Sequence, residues 1–483
     1  MEPAALDSFL VFGYVSLALL LAVFFRTQFK FLQQLFIPSN IIAGLILLLL
    51  GPGILGIVNI PAGQLAHNFV FHLITVIFIL LGLRGFKLGG AGGSVAGGTV
   101  LISKVLGIQA LLGVVFTILV VLIINPQLFS GFSSFLMLGF GFDGTLAQYF
   151  GGFWQEELAF AGGSGIAYSF AAIGFLVAYV LGLIMIVTAK NRGQVSAYPR
   201  KENEAVLSGI VPADTPREEK EVAGRLTTGS QSIESFTLHL SVVGLILLVT
   251  YGLMRLVAQW IVLDFGEGAV IVGEVLMNFN FLLGFALALL ARRIIKYFRV
   301  EYILDTGTLN RALGIAVDYM VVAAIVSIPL IISTVHLWET LALVIIGAVI
   351  TLFVVMWLCR ILLGDGSVER NALIFGFVTG NISSSVALLR VVDPKMESPL
   401  LRELTYAAPL SFLVAIPLLF IINLPLIGEG VIYMLYAFGS LLFYLAVLFM
   451  VWYFIIRPRI FGGAETGGGE DASSLPKKKG SGM

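Results

Sequence analysis

Long apolar segments separated by short polar connections occupy most of this sequence. The hydrocarbon core of a bilayer is about 30 Å thick, so a helix needs about 20 mostly apolar residues to cross it. Runs such as Leu45–Leu50 do not alternate apolar and polar residues, as the strands of an outer-membrane barrel do. The sequence therefore predicts an all-α polytopic membrane protein that lies in the lipid bilayer.

Charged residues are too scarce to cover a water-facing surface. They make up 12% of the 483 residues, and hydrophobic residues make up 59%, whereas a soluble domain carries about 25% charged residues. Lys and Arg total 28, as do Asp and Glu, so no net positive field attracts nucleic acid. The single Cys359 and four His exclude a disulfide framework and cysteine-pair zinc sites. We expect neither a soluble enzyme nor a nucleic-acid-binding protein.

Eleven segments meet the length requirement, five in the first half of the chain and six in the second. They are Phe9–Phe25, Ile37–Val58, Phe69–Leu83, Leu101–Ile124, Ile166–Val187, Leu238–Leu256, Val270–Leu290, Leu313–Ile332, Thr340–Leu362, Leu404–Leu426 and Val431–Ile456.

Basic residues near the segment ends indicate the orientation, because Lys and Arg collect on the cytoplasmic side. With the N-terminus outside, all but two of the 28 basic residues fall on the inner side; Arg255 lies outside and Lys104 lies within a segment. We expect a multi-pass protein of the bacterial cytoplasmic (inner) membrane, with its C-terminus in the cytoplasm.

The pattern predicts five regions along the chain. A polar stretch joins two halves as a cytoplasmic linker, and a Gly-, Ser- and Lys-rich tail is predicted to be disordered. The regions are residues 1–192 (first five spans), 193–234 (linker), 235–428 (next five spans), 429–460 (one extra C-terminal transmembrane helix) and 461–483 (tail).

Two halves of five spans each must have opposite senses in the membrane, which is the inverted-repeat arrangement of many secondary transporters. Phe140-Gly141-Phe142 and Phe375-Gly376-Phe377 occur at matching places in the two halves. Both surrounding stretches, residues 130–155 and 371–392, are apolar but interrupted by glycine. They predict two re-entrant hairpins that meet near the membrane midplane; surface loops with glycine turns are the alternative.

At these glycine segments the chain resembles the bacterial glutamate–sodium symporter family. The resemblance covers roughly residues 8–428 at low identity and rests on motifs in the same order. These are Ile37 to Leu45, Leu81-Gly82-Leu83, Leu337-Trp338-Glu339, Gly376-Phe377, Gly380, Ser383-Ser384 and Pro409.

Three features depart from the family pattern. Gly141-Phe142-Asp143-Gly144-Thr145 stands where the family has Gly-Gly-His-Gly-Thr, and Ile382-Ser383 replaces a Thr-Pro pair. An eleventh span follows Gly428. An Asp in place of His repels a substrate carboxylate unless a cation lies between them.

Two acidic residues are candidate sodium ligands. A carboxylate at membrane depth costs about 2.5–3.5 kcal/mol on insertion scales, so it is expected to face a cavity and bind a cation or a proton. Asp143 lies in the first glycine segment, where capping of a helix is the alternative role. Asp318 lies inside the eighth span, with pairing to Arg311 as its alternative.

Hydroxyl, amide and glycine backbone groups of the two glycine segments are the candidate substrate-binding groups. Hydroxyl groups in membrane helices also bond to their own backbone, so each residue alone is weak evidence. The candidates are Gly141, Asp143, Gly144, Thr145, Gly376, Thr379, Gly380, Asn381, Ser383, Ser384 and Ser385.

The resemblance implies sodium-coupled symport of glutamate or a related small anionic substrate by alternating access, in a homodimer and without an organic cofactor. One monovalent anion with one sodium ion moves no net charge; a second sodium ion adds about 2.3 kcal/mol per 100 mV of membrane potential, so we expect at least two. A proton-coupled transporter or exchanger of another organic anion on the same fold remains the alternative. Sparse intramembrane charge argues against a channel, and no catalytic residue set favours an enzyme.

Overall fold

A computed structural model describes most of the chain. The described residues are 3–34, 38–58, 64–84, 91–194, 210–211, 215, 224–229, 231–265, 280–326, 335–393, 398–428 and 431–461. This part of the chain is helical and contains no β-strand. Eight of its helices are long and apolar enough to cross a membrane. The protein is thus an all-helical chain of the kind expected for a polytopic membrane protein.

Seventeen α-helices are described. In the first half they are α1 (Pro3–Gln28), α2 (Lys30–Gln34), α3 (Ser39–Leu50), α4 (Gln64–Arg84), α5 (Ala91–Ile123), α6 (Phe135–Gly141), α7 (Asp143–Glu157) and α8 (Gly163–Asn191). In the second half they are α9 (Ser235–Phe265), α10 (Asn280–Tyr297), α11 (Thr306–Val326), α12 (Leu337–Leu363), α13 (Val368–Thr379), α14 (Ile382–Val392), α15 (Leu400–Ile421), α16 (Val431–Val451) and α17 (Arg457–Phe461). A π-helical turn, Trp452–Ile456, joins the last two.

The second predicted span is wrong beyond Leu50. Helix α3 ends there at a C-cap Gly51 with extended backbone, because the following Pro52 disfavours helical conformation in the residue before it. The chain then turns back, and the N–H of Val58 donates to the carbonyl of Leu50 (2.9 Å).

The seventh and eighth predicted spans are displaced along the sequence. Helix α10 continues to Tyr297, seven residues past the predicted end at Leu290, and residues 266–279 lie outside the described part of the chain. Helix α11 begins at Thr306, seven residues before the predicted start; residues 327–334 are likewise not described. The predicted tail, and most of the linker, also lie outside the described residues.

The long helices pack into two bundles. The first bundle contains α1, α3, α4, α9, α10 and α11, and the second contains α5 to α8 and α12 to α16. The bundles meet chiefly where α11 packs against α14. A ring contact between Phe285 of α10 and Tyr406 of α15 (5.6 Å between centroids) also joins them. Each bundle therefore draws its helices from both halves of the sequence.

Many helix pairs of one half have a counterpart in the other when the spans are numbered from the start of each half. The α1–α3 contact matches α9–α10, and α3–α11 matches α4–α10. In the second bundle, α5–α15 matches α8–α12, and α5–α6 matches α12–α13. The contact of α11 with α14 has no counterpart of similar extent between α4 and α7.

Close helix contacts in the first bundle depend on glycine. A Cβ placed on Gly82 of α4 would lie 2.7 Å from the Cβ of Ala288 and 3.0 Å from the carbonyl oxygen of Phe285, both on α10. A side chain there would force the helices apart. Small residues that bring helix backbones together are a common basis of packing in membranes.

We therefore predict that Gly82→Leu lowers the stability of the protein. Inserting methylene groups into a packed interior costs roughly 1–3 kcal/mol. Gly244→Leu on α9 is the matched control, because nothing lies within 4 Å of a Cβ built there. The measurement is the thermal unfolding temperature in detergent. Equal unfolding temperatures for the two variants would contradict the packing described.

Candidate functional site

Helices α6 and α7 form a pair that folds back on itself. The helical hydrogen bonding changes at Phe142, which ends α6 and precedes α7. The rings of Phe135 and Trp154, near the far ends of the two helices, lie 5.4 Å apart. A continuous helix would separate them by about 28 Å at 1.5 Å per residue. The first Phe-Gly-Phe segment therefore lies at the tip of a reversed helix pair.

Helices α13 and α14 form the second pair, and their reversal occurs at Gly380 and Asn381. A Cβ built on Gly376 would lie 2.8 Å from the Cα of Ser385, so the two backbones are in close contact. The hydroxyl of Ser385 donates to the carbonyl of Leu373 across the pair. Gly376 and Ser385, both predicted to bind substrate, thus hold the pair together.

The tips of the two pairs meet against α8 and α15. A Cβ built on Gly174 of α8 would lie 2.6 Å from the carbonyl oxygen of Thr379 and 2.9 Å from the ring of Phe140, so only glycine lets both tips approach. Phe412 of α15 contacts the ring of Phe142 (5.0 Å) and that of Phe377 (6.2 Å). The two Phe-Gly-Phe segments are therefore brought together in space.

Gln109 of α5 connects the two tips and is fully buried. Its amide nitrogen donates to the carbonyl of Val378 (2.9 Å), in the last turn of α13, and to the hydroxyl of Thr351 (3.3 Å). Its amide oxygen would lie 3.2 Å from a Cβ on Gly141, at the end of α6. Carbonyl groups in the last turn of a helix lack intrahelical partners. Gln109 provides a hydrogen-bond donor for one of these carbonyls, that of Val378.

Asn381 caps α14 with its own side chain. Its amide oxygen accepts from the N–H groups of Ser383 (2.8 Å) and Ser384 (3.2 Å). These are the free N–H groups that the helix end would otherwise offer to an anion. In the conformation described Asn381 is an N-cap, and its role as a substrate ligand stays a prediction.

The hydroxyl groups of the second tip fall into two kinds. Thr379 donates to the carbonyl of Phe375 (2.6 Å) within its own helix. The hydroxyls of Ser383 and Ser384 are fully buried and have no hydrogen-bond partner among the described residues. Tyr179 of α8 lies beside Ser384, but its hydroxyl also lacks a bond of standard geometry. The hydroxyl of Ser383 is thus a buried polar group without a described partner, and those of Ser384 and Tyr179 lie beside each other.

At the first tip, Gly141 is the last residue of α6 and is packed against Leu106 of α5. Asp143, Gly144 and Thr145 form the start of α7, but their side chains lie outside the described part of the structure. Phe142 precedes α7 and provides no side-chain cap. The start of α7 is thus a second helix end at the site.

Asp318 has a protein counter-ion. The guanidinium of Arg390, on α14, donates to both carboxylate oxygens of Asp318, at 2.7 and 3.1 Å. Asn40 of α3 donates to the same carboxylate (2.9 Å). Arg390 supplies the neutralising charge in this conformation, and the role of Asp318 as a sodium ligand stays a prediction. The alternative partner Arg311 is not used.

Sequence reasoning missed Gln109, Gly174, Tyr179, Asn40 and Arg390. Gln109 carried a usable signal, since a polar side chain within an apolar span is expected to face protein. Asn40, within the second predicted span, carried the same signal, whereas Gly174, Tyr179 and Arg390 carried none.

No family model, curated protein or solved structure matches the chain. Within the described residues, no group of three or more His, Cys, Asp or Glu side chains could hold a metal ion. The arrangement brings neutral hydroxyl and amide groups and two helix ends together.

We predict that Asn381→Ala destabilises the second tip by about 0.5–2 kcal/mol, the usual cost of losing an N-cap. Asn381→Asp is the matched control, because its carboxylate can accept the same two N–H bonds. Thermal unfolding in detergent measures both. An alanine variant as stable as the parent would contradict the capping role.

Proposed function

We propose that the chain is a secondary active transporter that works by alternating access. One observation carries the proposal: two reversed helix pairs, one from each half, meet around buried and partly unpartnered polar groups within an apolar helical protein. Interrupted helices that meet at mid-membrane are typical of transporter binding sites. Irregular backbone at that depth is tolerated only where protein or a water-filled cavity surrounds it.

Matched packing in the two halves supports an inverted repeat. Several equivalent spans make equivalent contacts in both bundles, as expected if the halves have the same fold, although the extensive α7–α8 contact has no counterpart of similar extent between α14 and α15. Because each half would have five spans, which is an odd number, the two halves would have opposite orientations in the membrane. On this proposal the helix pairs are re-entrant hairpins, one from each side, and α16 is the extra span.

The second helix pair is fixed to its own bundle, so it would move with that bundle. Arg370, near the start of α13, donates to Asp365 (2.6 Å) and to Glu403 of α15 (2.9 Å). Burial alone would raise the pKa of Asp365, but hydrogen bonds from Arg370 and from the N–H of Ser367 hold that pKa below its ordinary value. The carboxylate therefore stays charged, and the base of the pair stays attached.

The substrate proposed is glutamate or a related small carboxylate, carried with sodium. Support comes from the start of α7, a helix N-terminus without a side-chain cap, which favours a carboxylate, and from the motifs that resemble those of the glutamate–sodium symporters. The protein would work as a homodimer in the bacterial inner membrane, its N-terminus outside and C-terminus in the cytoplasm.

Purified protein in proteoliposomes tests this function. We expect uptake of labelled glutamate, aspartate or a non-amino dicarboxylate when a sodium gradient is imposed, and stronger uptake with an inside-negative potential. Ser383→Ala with Ser384→Ala should lower uptake at least tenfold by removing two ligand hydroxyls.

Ser241→Ala is the matched control, because this exposed hydroxyl bonds only to its own helix at Thr237. Uptake driven by a proton gradient alone would contradict sodium coupling and support the proton-coupled alternative. No uptake of any tested anion under either gradient would refute the transport proposal for this substrate class.

The inverted arrangement also predicts the opposite-facing state. Helix α14 contacts α11 here, while the equivalent α7 and α4 do not pack to a similar extent. Exchange of the two repeats would bring α7 against α4 and separate α14 from α11. The two helix pairs would thus contact the first bundle in turn.

Spin labels test this exchange, since the single Cys359 is buried. One label pair is placed at Leu73 on α4 and Glu156 on α7, the other at Ile315 on α11 and Ser398 after α14. We expect sodium and substrate to change the two distances in opposite directions, as measured by pulsed electron paramagnetic resonance. A control pair at Glu156 and Ser398, both in the second bundle, should keep its distance. Parallel changes in the two test pairs would contradict alternating access of this kind.

A further inference from the structure

The ion pair between Asp318 and Arg390 crosses the main boundary between the two bundles. Asp318 belongs to α11 of the first bundle, and Arg390 belongs to α14 of the second. The pair is bidentate, with the two N···O distances at 2.7 and 3.1 Å. The side chains remain 38% and 22% exposed, so the pair faces an open space rather than a sealed core. Any sliding of one bundle along the other must break it.

Separation of the pair would leave Asp318 without its cation. An uncompensated carboxylate at membrane depth is costly, so the second state needs a replacement positive charge. Separation leaves the charge of Arg390 better compensated than that of Asp318, because Arg390 lies in the last turn of α14. There the helix end favours a cation, and its long side chain can extend toward the interface.

The groups around the guanidinium are oxygen atoms that accept its hydrogen bonds. The Nη1 atom of Arg390 lies 2.7 Å from Oδ1 of Asp318 and 3.0 Å from the carbonyl oxygen of Gly314. A Cβ on Gly314 would lie 3.7 Å from Nη2 of Arg390, an ordinary contact distance. Carboxylate and carbonyl oxygens are the ligands that hard cations prefer.

Asn40 offers a further oxygen. Its side chain is buried and its amide nitrogen bonds to Asp318, while its amide oxygen has no partner among the described atoms. Rotation of the amide by a half turn would present that oxygen to an ion beside Asp318. The unpartnered oxygen is explained if the site holds a cation in another state.

We propose that Asp318, Gly314 and Asn40 form a sodium site that Arg390 occupies in the present conformation. Arg390 is a tethered cation that competes with sodium: it fills the site while the bundles are joined at α11 and α14, and sodium fills it when they separate. The inference rests on the transport function proposed above and names the residues that couple sodium to the bundle movement.

Sodium binding to the purified full chain in detergent tests this competition without transport. The measurement is the thermal unfolding temperature as a function of sodium chloride, with choline chloride keeping the ionic strength constant and potassium chloride as a second arm. In Arg390→Gln we expect half-maximal stabilisation at a sodium concentration at least tenfold lower than in the parent. Adding Asp318→Asn to that variant should abolish the sodium-specific shift.

Arg293→Gln is the matched control, because it removes an exposed arginine of the first bundle and should leave the sodium dependence unchanged. Arg390→Lys keeps the charge with fewer donors, and we expect an intermediate sodium concentration; it also provides the comparison if Arg390→Gln does not fold.

An unchanged sodium dependence in Arg390→Gln or Arg390→Lys would overturn the proposal, as would an equal response to potassium. Stabilisation by low pH alone, without a sodium response, would assign the site to a proton and also overturn it. Tighter sodium binding without uptake of any anion would keep this site and refute the transport function, so the two failures are distinguishable.

Discussion

Lipid cannot hydrogen-bond to the ends of a helix, and this constraint governs the centre of the protein. Each interruption at membrane depth leaves N–H and C=O groups that only protein, water or a ligand can satisfy. The amide oxygen of Asn381 accepts from N–H groups at the start of α14, and the amide nitrogen of Gln109 donates to a carbonyl at the end of α13. Gly174 removes the side chain that would keep the tips apart. The packing of α5 and α8 against both helix pairs is thus a requirement of the interruptions themselves.

The helical class could be predicted from the sequence because the length of an apolar run and the thickness of a bilayer are simple to compare. The two interrupted stretches could be predicted too, since Phe-Gly-Phe recurs at matching places, although the second helix breaks at Gly380 and Asn381 rather than at Gly376. The end of the second span could not be predicted from hydropathy, which does not register that Pro52 stops a helix before the apolar run finishes. Orientation, re-entry and the repeat stay predictions.

The partners within the site were beyond the reach of sequence reasoning for a different reason. Arg390 lies 72 residues from Asp318, and Val378 lies 269 residues from Gln109. Within the neighbouring helical turns Arg311 is the one basic residue near Asp318. The sequence therefore does not reveal that Arg390 neutralises the carboxylate. Which side chains neutralise or cap one another depends on how the two halves interlock. That packing is determined by many weak contacts between helices, and no single motif encodes it.

The self-capped end of α14 has a consequence for what an empty carrier can do. In a transporter whose vacant site had an uncapped helix end, N–H groups at membrane depth would lack hydrogen-bond partners. The vacant protein would then keep its site open to one side of the membrane until a second substrate bound. Such a protein could only exchange one molecule for another. In the conformation described, the side chain of Asn381 accepts from the N–H groups at the start of α14. If the chain is the transporter proposed above, this cap would let the vacant site return without a second substrate, and it would favour net accumulation over one-for-one exchange.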